Sequence, residues 1–233
     1  MKNNARMHRL IDVFGDRDYT QSPFHRCCYA FDRSKMTFIH IPKTAGTSIH
    51  KFLCNKDQFS NRFQNVSGEG LHRPVSRYCH PSECFYFTVM RHPLDRVWSY
   101  FQMVLRWDPR HPYAISARNG LLPFLERCWE VRNMATRYLS GSILDEPTHS
   151  AFLLACRNID CFYAVLDFQR LGESLSSMCE SLGYKFKPAS VPHFNAARYL
   201  RPSALERELI LGANALDLEL YNYWMESRSR CPR

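Results

Sequence analysis

The feature that most constrains the fold of this chain is a short strand followed directly by a loop and a helix, which occurs twice in its first half. Residues 36–41 (Met-Thr-Phe-Ile-His-Ile) form an apolar run rich in β-forming residues, and a helical pattern begins near Ser48. Residues 85–90 (Phe-Tyr-Phe-Thr-Val-Met) form a second run, and Pro93 suits the first turn of the helix that follows. This alternation predicts an α/β fold with a parallel sheet flanked by helices.

The second half of the chain continues the same pattern. Three further helices are predicted, over 121–139, 148–157 and 170–182. A third strand is predicted over 161–166, and Ser203 is predicted to cap a last helical region that runs to about residue 226, with a break near Gly212. Stretches with proline and glycine are predicted as loops, and these are 55–84, 106–120 and 184–202.

Length and composition fit one folded domain. The 233 residues, 45% of them hydrophobic, are enough to bury a substantial core. We therefore expect an irregular lead-in over 1–35, one domain over 36–226 and a basic tail over 227–233. The formal net charge of +9 favours an anionic partner, such as a nucleotide or an acidic sugar. The sequence contains no dense run of lysine and arginine, so nucleic acid is not favoured as that partner.

The ten cysteines and the chain's first residues bear on metal binding and on location. No C-x-x-C pair is present, so no metal site is expected. No stretch approaches the ~18 apolar residues of a membrane span, and the first residues lack the apolar core of a secretory signal. We therefore expect reduced thiols and a cytoplasmic location. A chain trimmed from a longer protein of the Golgi lumen would be the exception.

The loop after the first strand, residues 42–48 (Pro-Lys-Thr-Ala-Gly-Thr-Ser), carries a pattern suited to phosphate or phosphosulfate. Small residues let the backbone approach a ligand, and N–H groups at the start of a helix attract anions. Lys43 adds a mobile positive charge. The loop is not a Walker A motif, whose lysine follows the second glycine, because Lys43 precedes Gly46. A plain turn with a capping threonine or serine is the alternative.

The loop after the second strand offers a second anion-binding pattern. Arg91 follows the strand directly, and Ser99 lies two turns into the next helix, so both could face one phosphate. Asp95 and Arg96 fit a capping or ion-pairing role in the first turns of that helix. Trp98 and Phe101 are expected in the core.

Both loops resemble motifs of the sulfotransferases that use 3′-phosphoadenosine 5′-phosphosulfate (PAPS). Residues 38–48 resemble the 5′-phosphosulfate loop of that family, and residues 89–100 resemble its 3′-phosphate motif. The likeness is greatest to the heparan sulfate 2-O- and 6-O-sulfotransferases and their bacterial relatives. It implies a P-loop-NTPase-like sheet, the sulfotransferase fold. Three other stretches support it, and these are 137–141, 162–175 and 217–221.

The resemblance implies a PAPS-dependent transfer to a hydroxyl of a carbohydrate or glycoconjugate, without a metal. Lys43 would contact the bridging oxygen of the phosphosulfate, while Arg91 and Ser99 would hold the 3′-phosphate. The general base would be a histidine or glutamate between the two loops, and His72, in a Gly-Leu-His sequence, is preferred over His80 and Glu69. The 5′-phosphate would be held by Lys43, Thr44, Ala45, Gly46, Thr47 and Ser48.

Two features qualify the resemblance. Many family members have glycine where this chain has Ala45, a small change that should be tolerated if φ is negative there. Residues 192–198 resemble a segment that closes over the nucleotide, although an ordinary surface loop fits equally well. Several arginines fall in stretches that could flank an acidic acceptor, and these are Arg73, Arg77, Arg106, Arg110 and Arg118.

Two other functions stay open from the sequence. A P-loop-type nucleotide or sugar kinase would need magnesium and ATP, and no clear acidic magnesium ligand follows the second strand. A glycan-binding module without catalysis would have no use for Lys43 and a base. Labelled PAPS offered with a panel of sugars distinguishes all three functions.

Overall fold

The computed structural model describes residues 35–54, 63–64, 74–75, 85–142, 146–183 and 201–230. Within these ranges four strands form one parallel sheet in the order β2-β1-β3-β4. The predicted α/β fold is thereby confirmed. The strands are β1 (Met36–Ile39), β2 (Phe63–Gln64), β3 (Tyr86–Met90) and β4 (Ala164–Asp167).

The described helices lie on both sides of this sheet. They are α1 (Gly46–Cys54), α2 (Pro93–Val104), α3 (Pro112–Arg118), α4 (Leu121–Arg127), α5 (Met134–Ser140), α6 (His149–Cys161), α7 (Leu171–Ser181), α8 (Ala204–Ala213) and α9 (Ala215–Arg230). A short 3₁₀ turn covers Trp129–Val131. No helix in the described ranges is long and apolar enough to span a membrane.

Alternation along the strands explains why both faces of the sheet are covered. In β3, Phe87 and Val89 pack on one face with α1 and α7, whereas Tyr86 and Met90 pack on the other with α2 and its neighbours. All five β3 residues are buried. A parallel sheet has its connecting helices on its faces, so its strands are apolar on both sides.

The structure differs from the sequence predictions in several boundaries. Residues 106–120 were predicted as a loop, but α3 forms there because the His111 side chain accepts the N–H of Tyr113 and Pro112 occupies the first turn. The predicted helix over 121–139 divides into α4 and α5. The third strand begins three residues later than predicted, at Ala164, since α6 continues to Cys161. The last helix continues beyond residue 226 to Arg230.

A buried ion pair fixes α2 to the C-terminal helices. Arg96, predicted to cap or pair within its own helix, instead lies 3.1 Å from the carboxylate of Asp217, with both side chains almost fully buried. The same guanidinium donates to the Val131 carbonyl at 2.9 Å, and Asp217 accepts the N–H of Thr136 at 2.8 Å. The cluster thus joins α2, α5 and α9.

The order of the strands identifies where a ligand would bind. β1 has β2 on one side and β3 on the other, so the chain passes from β1 outward to β2 and then returns past β1 to β3. In open parallel sheets, ligands bind at the carboxyl ends of the strands where the order reverses. Here that point lies between the loop after β1 and the loop after β3.

Candidate functional site

The loop after β1 is a tight turn closed by its own hydrogen bonds. The hydroxyl of Thr44 donates to the Ile41 carbonyl at 2.7 Å, and the Thr44 N–H donates to the same oxygen at 3.3 Å. Lys43 and Ala45 on either side of Thr44 have left-handed backbones, with φ of 69° and 72°. The condition for an unstrained alanine, a negative φ at Ala45, is therefore not met, because the chain reverses too sharply between β1 and α1.

Helix α1 begins as soon as this turn ends. The Ala45 carbonyl accepts the N–H groups of Ser48 at 2.9 Å and Ile49 at 3.1 Å. Helix geometry leaves the preceding N–H groups, at Gly46 and Thr47, without an intrahelical acceptor, and they carry the positive end of the helix dipole. Thr47 is exposed and Ser48 is buried. This helix start can accept an anion.

Gly46 is required because the His40 ring occupies the space where a side chain would be. A β-carbon at position 46 would lie 1.8 Å from Nε2 of His40. His40 follows β1, half-buried, and stacks on Phe38 with the ring centroids 5.2 Å apart. The packing of the His40 ring therefore supports the turn.

Arg91 joins the two loops. Its Nη1 donates to the backbone carbonyl of Lys43 at 2.9 Å, across the switch point between β1 and β3. The guanidinium carbon lies 4.0 Å above the centre of the Phe168 ring, and the N–H of Phe168 bonds to the Met90 carbonyl at 3.0 Å. The sequence did not identify Phe168, although an aromatic residue directly after a strand of this sheet was a usable signal.

The Lys43 ammonium lies among cationic groups. Burial lowers the pKa of Lys43 below its usual value, and the positive charges of Arg91 and then Arg106 lower it further. The hydrogen-bond acceptor for its Nζ, within the described ranges, is the Met103 sulfur at 3.6 Å. Among the residues that the structure describes, no carboxylate pairs with Lys43, so the gathered positive charges make this a place for an anionic group.

One face of α2 supplies the wall opposite Lys43. Ser99, Met103 and Arg106 are four and three residues apart, a spacing that puts them on one side of the helix and its last turn. The Ser99 side chain is buried. The sequence identified Ser99 and Arg106, but not Met103, which the same spacing from Ser99 could have indicated.

Charged and aromatic groups surround the site near β4. Asp167, at the end of β4, accepts a hydrogen bond from Arg228 at 2.8 Å, and Arg228 lies over Trp224. The His92 ring lies 5.1 Å from that of Tyr221. Helix α9, whose last residues were predicted to be a basic tail, therefore contacts the same edge of the sheet as Arg91.

The arginines proposed to flank an acceptor differ in what they contact. Arg106 is exposed and donates to the Gln102 carbonyl at 3.1 Å. Arg110 pairs with Asp108 at 2.8 Å, and Arg118 donates to the carbonyls of Leu105 and Trp107, both at 3.3 Å. Other predicted residues lie outside the described residues, namely Arg73, Arg77, His72, His80, Glu69 and residues 192–198.

Comparison with protein families gives a match. A model described as the sulfotransferase family matches residues 28–223, which is most of the chain. Both loops of the site and every strand of the described sheet lie inside the matched range. Comparison with curated proteins gives no match.

Proposed function

The chain belongs to the sulfotransferase family and therefore to a family that transfers sulfuryl groups, and from this we propose that it is an enzyme that uses PAPS and acts on a carbohydrate hydroxyl. The observation that carries the proposal is the 2.9 Å hydrogen bond from Arg91 to the Lys43 carbonyl. It brings the two anion-binding loops together at the switch point of the sheet. A nucleotide with phosphates on both sides of its ribose needs two such groups of donors.

The donor set fits PAPS in charge and in kind. Lys43, Arg91 and Arg106 supply positive charge, and the start of α1 supplies N–H groups. When bound, PAPS supplies an activated sulfuryl group with a nucleotide as the leaving group. Backbone N–H groups of Gly46 and Thr47, with the Ser48 hydroxyl, would hold the 5′-phosphate. The Thr44 hydroxyl, which donates to Ile41, would instead hold the loop in shape.

Lys43 is the proposed catalytic residue of the donor side. Its ammonium would donate to the bridging oxygen and stabilise the negative charge that grows there as the bond to sulfur breaks. Burial and the neighbouring arginines lower the Lys43 pKa, which makes its proton easier to share with that oxygen. Arg91 holds the Lys43 backbone, and Arg91 and Ser99 would bind the 3′-phosphate.

The acceptor hydroxyl needs a base, for which we propose His72. Its imidazole would take the hydroxyl proton as the oxygen attacks sulfur. His80 and Glu69 are the alternatives. A comparison of His72→Ala with His80→Ala identifies the base. The variant that lacks the base should lose about 10²–10⁴-fold in rate and retain nucleotide binding.

An acidic sugar is the proposed acceptor. Arg106 is exposed beside Lys43 and keeps its guanidinium near the site through the Gln102 carbonyl. Arg118 lies near Arg106 and donates hydrogen bonds to two backbone carbonyls of the turn after α2. A cytoplasmic location is proposed together with this function.

The decisive experiment offers ³⁵S-labelled PAPS to the chain with neutral and acidic oligosaccharides, with and without a chelator. Label should pass to a sugar, and a chelator should not prevent it. Lys43→Ala should abolish transfer, whereas Lys51→Ala, an exposed lysine of α1, should behave as wild type. Transfer from labelled ATP that requires magnesium would identify a kinase instead. Sugar binding without transfer would identify a binding module.

A second experiment measures the affinity for 3′-phosphoadenosine 5′-phosphate (PAP), the desulfated nucleotide, by calorimetry. Arg91→Ala should weaken binding by roughly 2–4 kcal/mol, since a bidentate contact to phosphate is lost. Arg110→Ala is the matched control, because Arg110 is engaged with Asp108. Equal affinities for all three proteins would contradict the proposed 3′-phosphate site.

A further inference from the structure

Lys43 is held at its backbone and at its ammonium, and only the first of these contacts belongs to the proposed nucleotide site. Arg91 binds the backbone carbonyl at 2.9 Å, and the Met103 sulfur accepts from Nζ at 3.6 Å. Met103 lies 60 positions further along the chain, on the face of α2 that also carries Ser99. A contact between such distant positions depends on the packing of α2 against the loop after β1.

The groups around Nζ explain why the Lys43 ammonium needs this contact. The charged groups that act on it within the described residues are Arg91, after β3, and Arg106, after α2, and both repel an ammonium. A lysine has a flexible stem with four carbons, so repulsion alone would turn its head toward water. The sulfur of Met103 offers a local acceptor that prevents this.

The chemistry of the thioether suits a temporary contact. A thioether is a weak, polarisable acceptor, so it orients an ammonium without neutralising it. A carboxylate in its place would form a strong charge-assisted hydrogen bond and compete with the donor's phosphate oxygens. Methionine can therefore orient the ammonium and still release it. An aliphatic side chain would not orient the ammonium, and an acidic side chain would not release it.

We propose that Met103 is a positioning residue that holds the Lys43 ammonium at the mouth of the anion site before the nucleotide binds. When the nucleotide binds, the ammonium leaves the Met103 sulfur and contacts the nucleotide. The release step depends on the proposed function, whereas the holding step does not. The proposal explains why a half-buried methionine faces the catalytic lysine on the inner side of α2.

The test that is independent of turnover follows the Lys43 pKa by NMR in protein labelled with ¹³C at the lysine ε-carbon. The chain has seven lysines, so Lys43→Arg assigns the signal. Met103→Leu should lower the pKa of Lys43, because the charged form loses its acceptor. Met103→Glu should raise it, because the charged form gains an ion pair. Met178→Leu, at a buried methionine of α7, should leave it unchanged.

Turnover then tests the release step. Met103→Leu should lower kcat three- to tenfold with the PAPS KM within twofold, and Met103→Glu should lower kcat by about 10²-fold, since its ion pair must break. A Lys43 pKa that Met103→Leu leaves unchanged would show that Met103 only fills space and would overturn the proposal. If wild type does not use PAPS, the proposed function fails, and the pKa of Lys43 still decides the holding step.

Discussion

The backbone at Ala45, like that at Lys43, is strained. Its φ of 72° is disfavoured for a residue with a β-carbon, which crowds the carbonyl and costs roughly 1–2 kcal/mol. Gly46 beside it is constrained by space and not by its φ, because a β-carbon there would overlap the His40 ring. Two adjacent positions thus need small residues for different reasons: position 45 accepts alanine at a steric cost, whereas position 46 has no room for a β-carbon.

Ala45→Gly should stabilise the folded chain by about 1 kcal/mol, because glycine adopts a positive φ without the steric cost. Urea unfolding of both proteins measures the difference. Ala155→Gly, inside α6 and fully buried, should destabilise by about 1 kcal/mol or more and serves as the control. Ala45→Gly without a gain in the free energy of unfolding would mean that the loop is not strained there.

The start of α2 should depend on pH. The Nδ1 atom of His92 accepts the N–H of Leu94 at 3.3 Å, which only a ring unprotonated at that atom can do. Burial lowers the pKa of His92 below its ordinary value of 6.5, and the charge of Asp95 opposes this more weakly. The folded chain therefore binds a proton here less readily than the unfolded chain does.

The stabilisation from neutral His92 should be present above pH 6.5 and be lost as the pH falls through the lowered pKa of the folded state. His92→Asn keeps a capping acceptor but cannot titrate, so its free energy of unfolding should change less between pH 7.5 and pH 5. Urea unfolding at both values measures this. Parallel pH profiles of the two proteins would exclude a role for His92.

Helix α2 is also the element most dependent on a distant partner. Asp217→Asn should destabilise the chain by about 3–5 kcal/mol, because Arg96 would keep its charge in a buried place without a matching carboxylate. Asp108→Asn, at the exposed partner of Arg110, should change stability little. Thermal and urea unfolding compare the two, and equal small losses would mean that solvent reaches Arg96.

Elements set by local patterns were predictable, whereas those set by distant contacts were not. β1, β3, α2 and α7 follow from apolar runs and their bounding prolines and glycines. The two-residue β2 is too short for any pattern. The pairing of Arg96 with Asp217 spans 121 positions, and the contact of Lys43 with Met103 spans 60, so neither could be found from spacing.

At the scale of the whole molecule, the site lies where the two hydrophobic clusters meet. One cluster packs α1 and α7 on one face of the sheet, and the other packs α2 and the C-terminal helices on the other. Lys43 leads into α1, while Arg91 leads into α2, so their contact connects both layers. A ligand that binds both residues should therefore oppose separation of the layers and stabilise the entire fold.

PAP at 100 times its dissociation constant should raise the free energy of unfolding by about 2.7 kcal/mol, because it binds only the folded chain. At the same concentration of PAP, the Arg91→Ala variant should lose most of this gain. Adenosine 5′-monophosphate, which lacks the 3′-phosphate, should stabilise the wild-type chain less than PAP does. The gain should decline with salt, since the net charge of +9 and the cations at the site attract the anion through forces that ions screen. Urea unfolding with and without nucleotide measures each effect. Equal stabilisation by both nucleotides would show that the site does not recognise the 3′-phosphate, and the pairing of the two loops would then need another explanation.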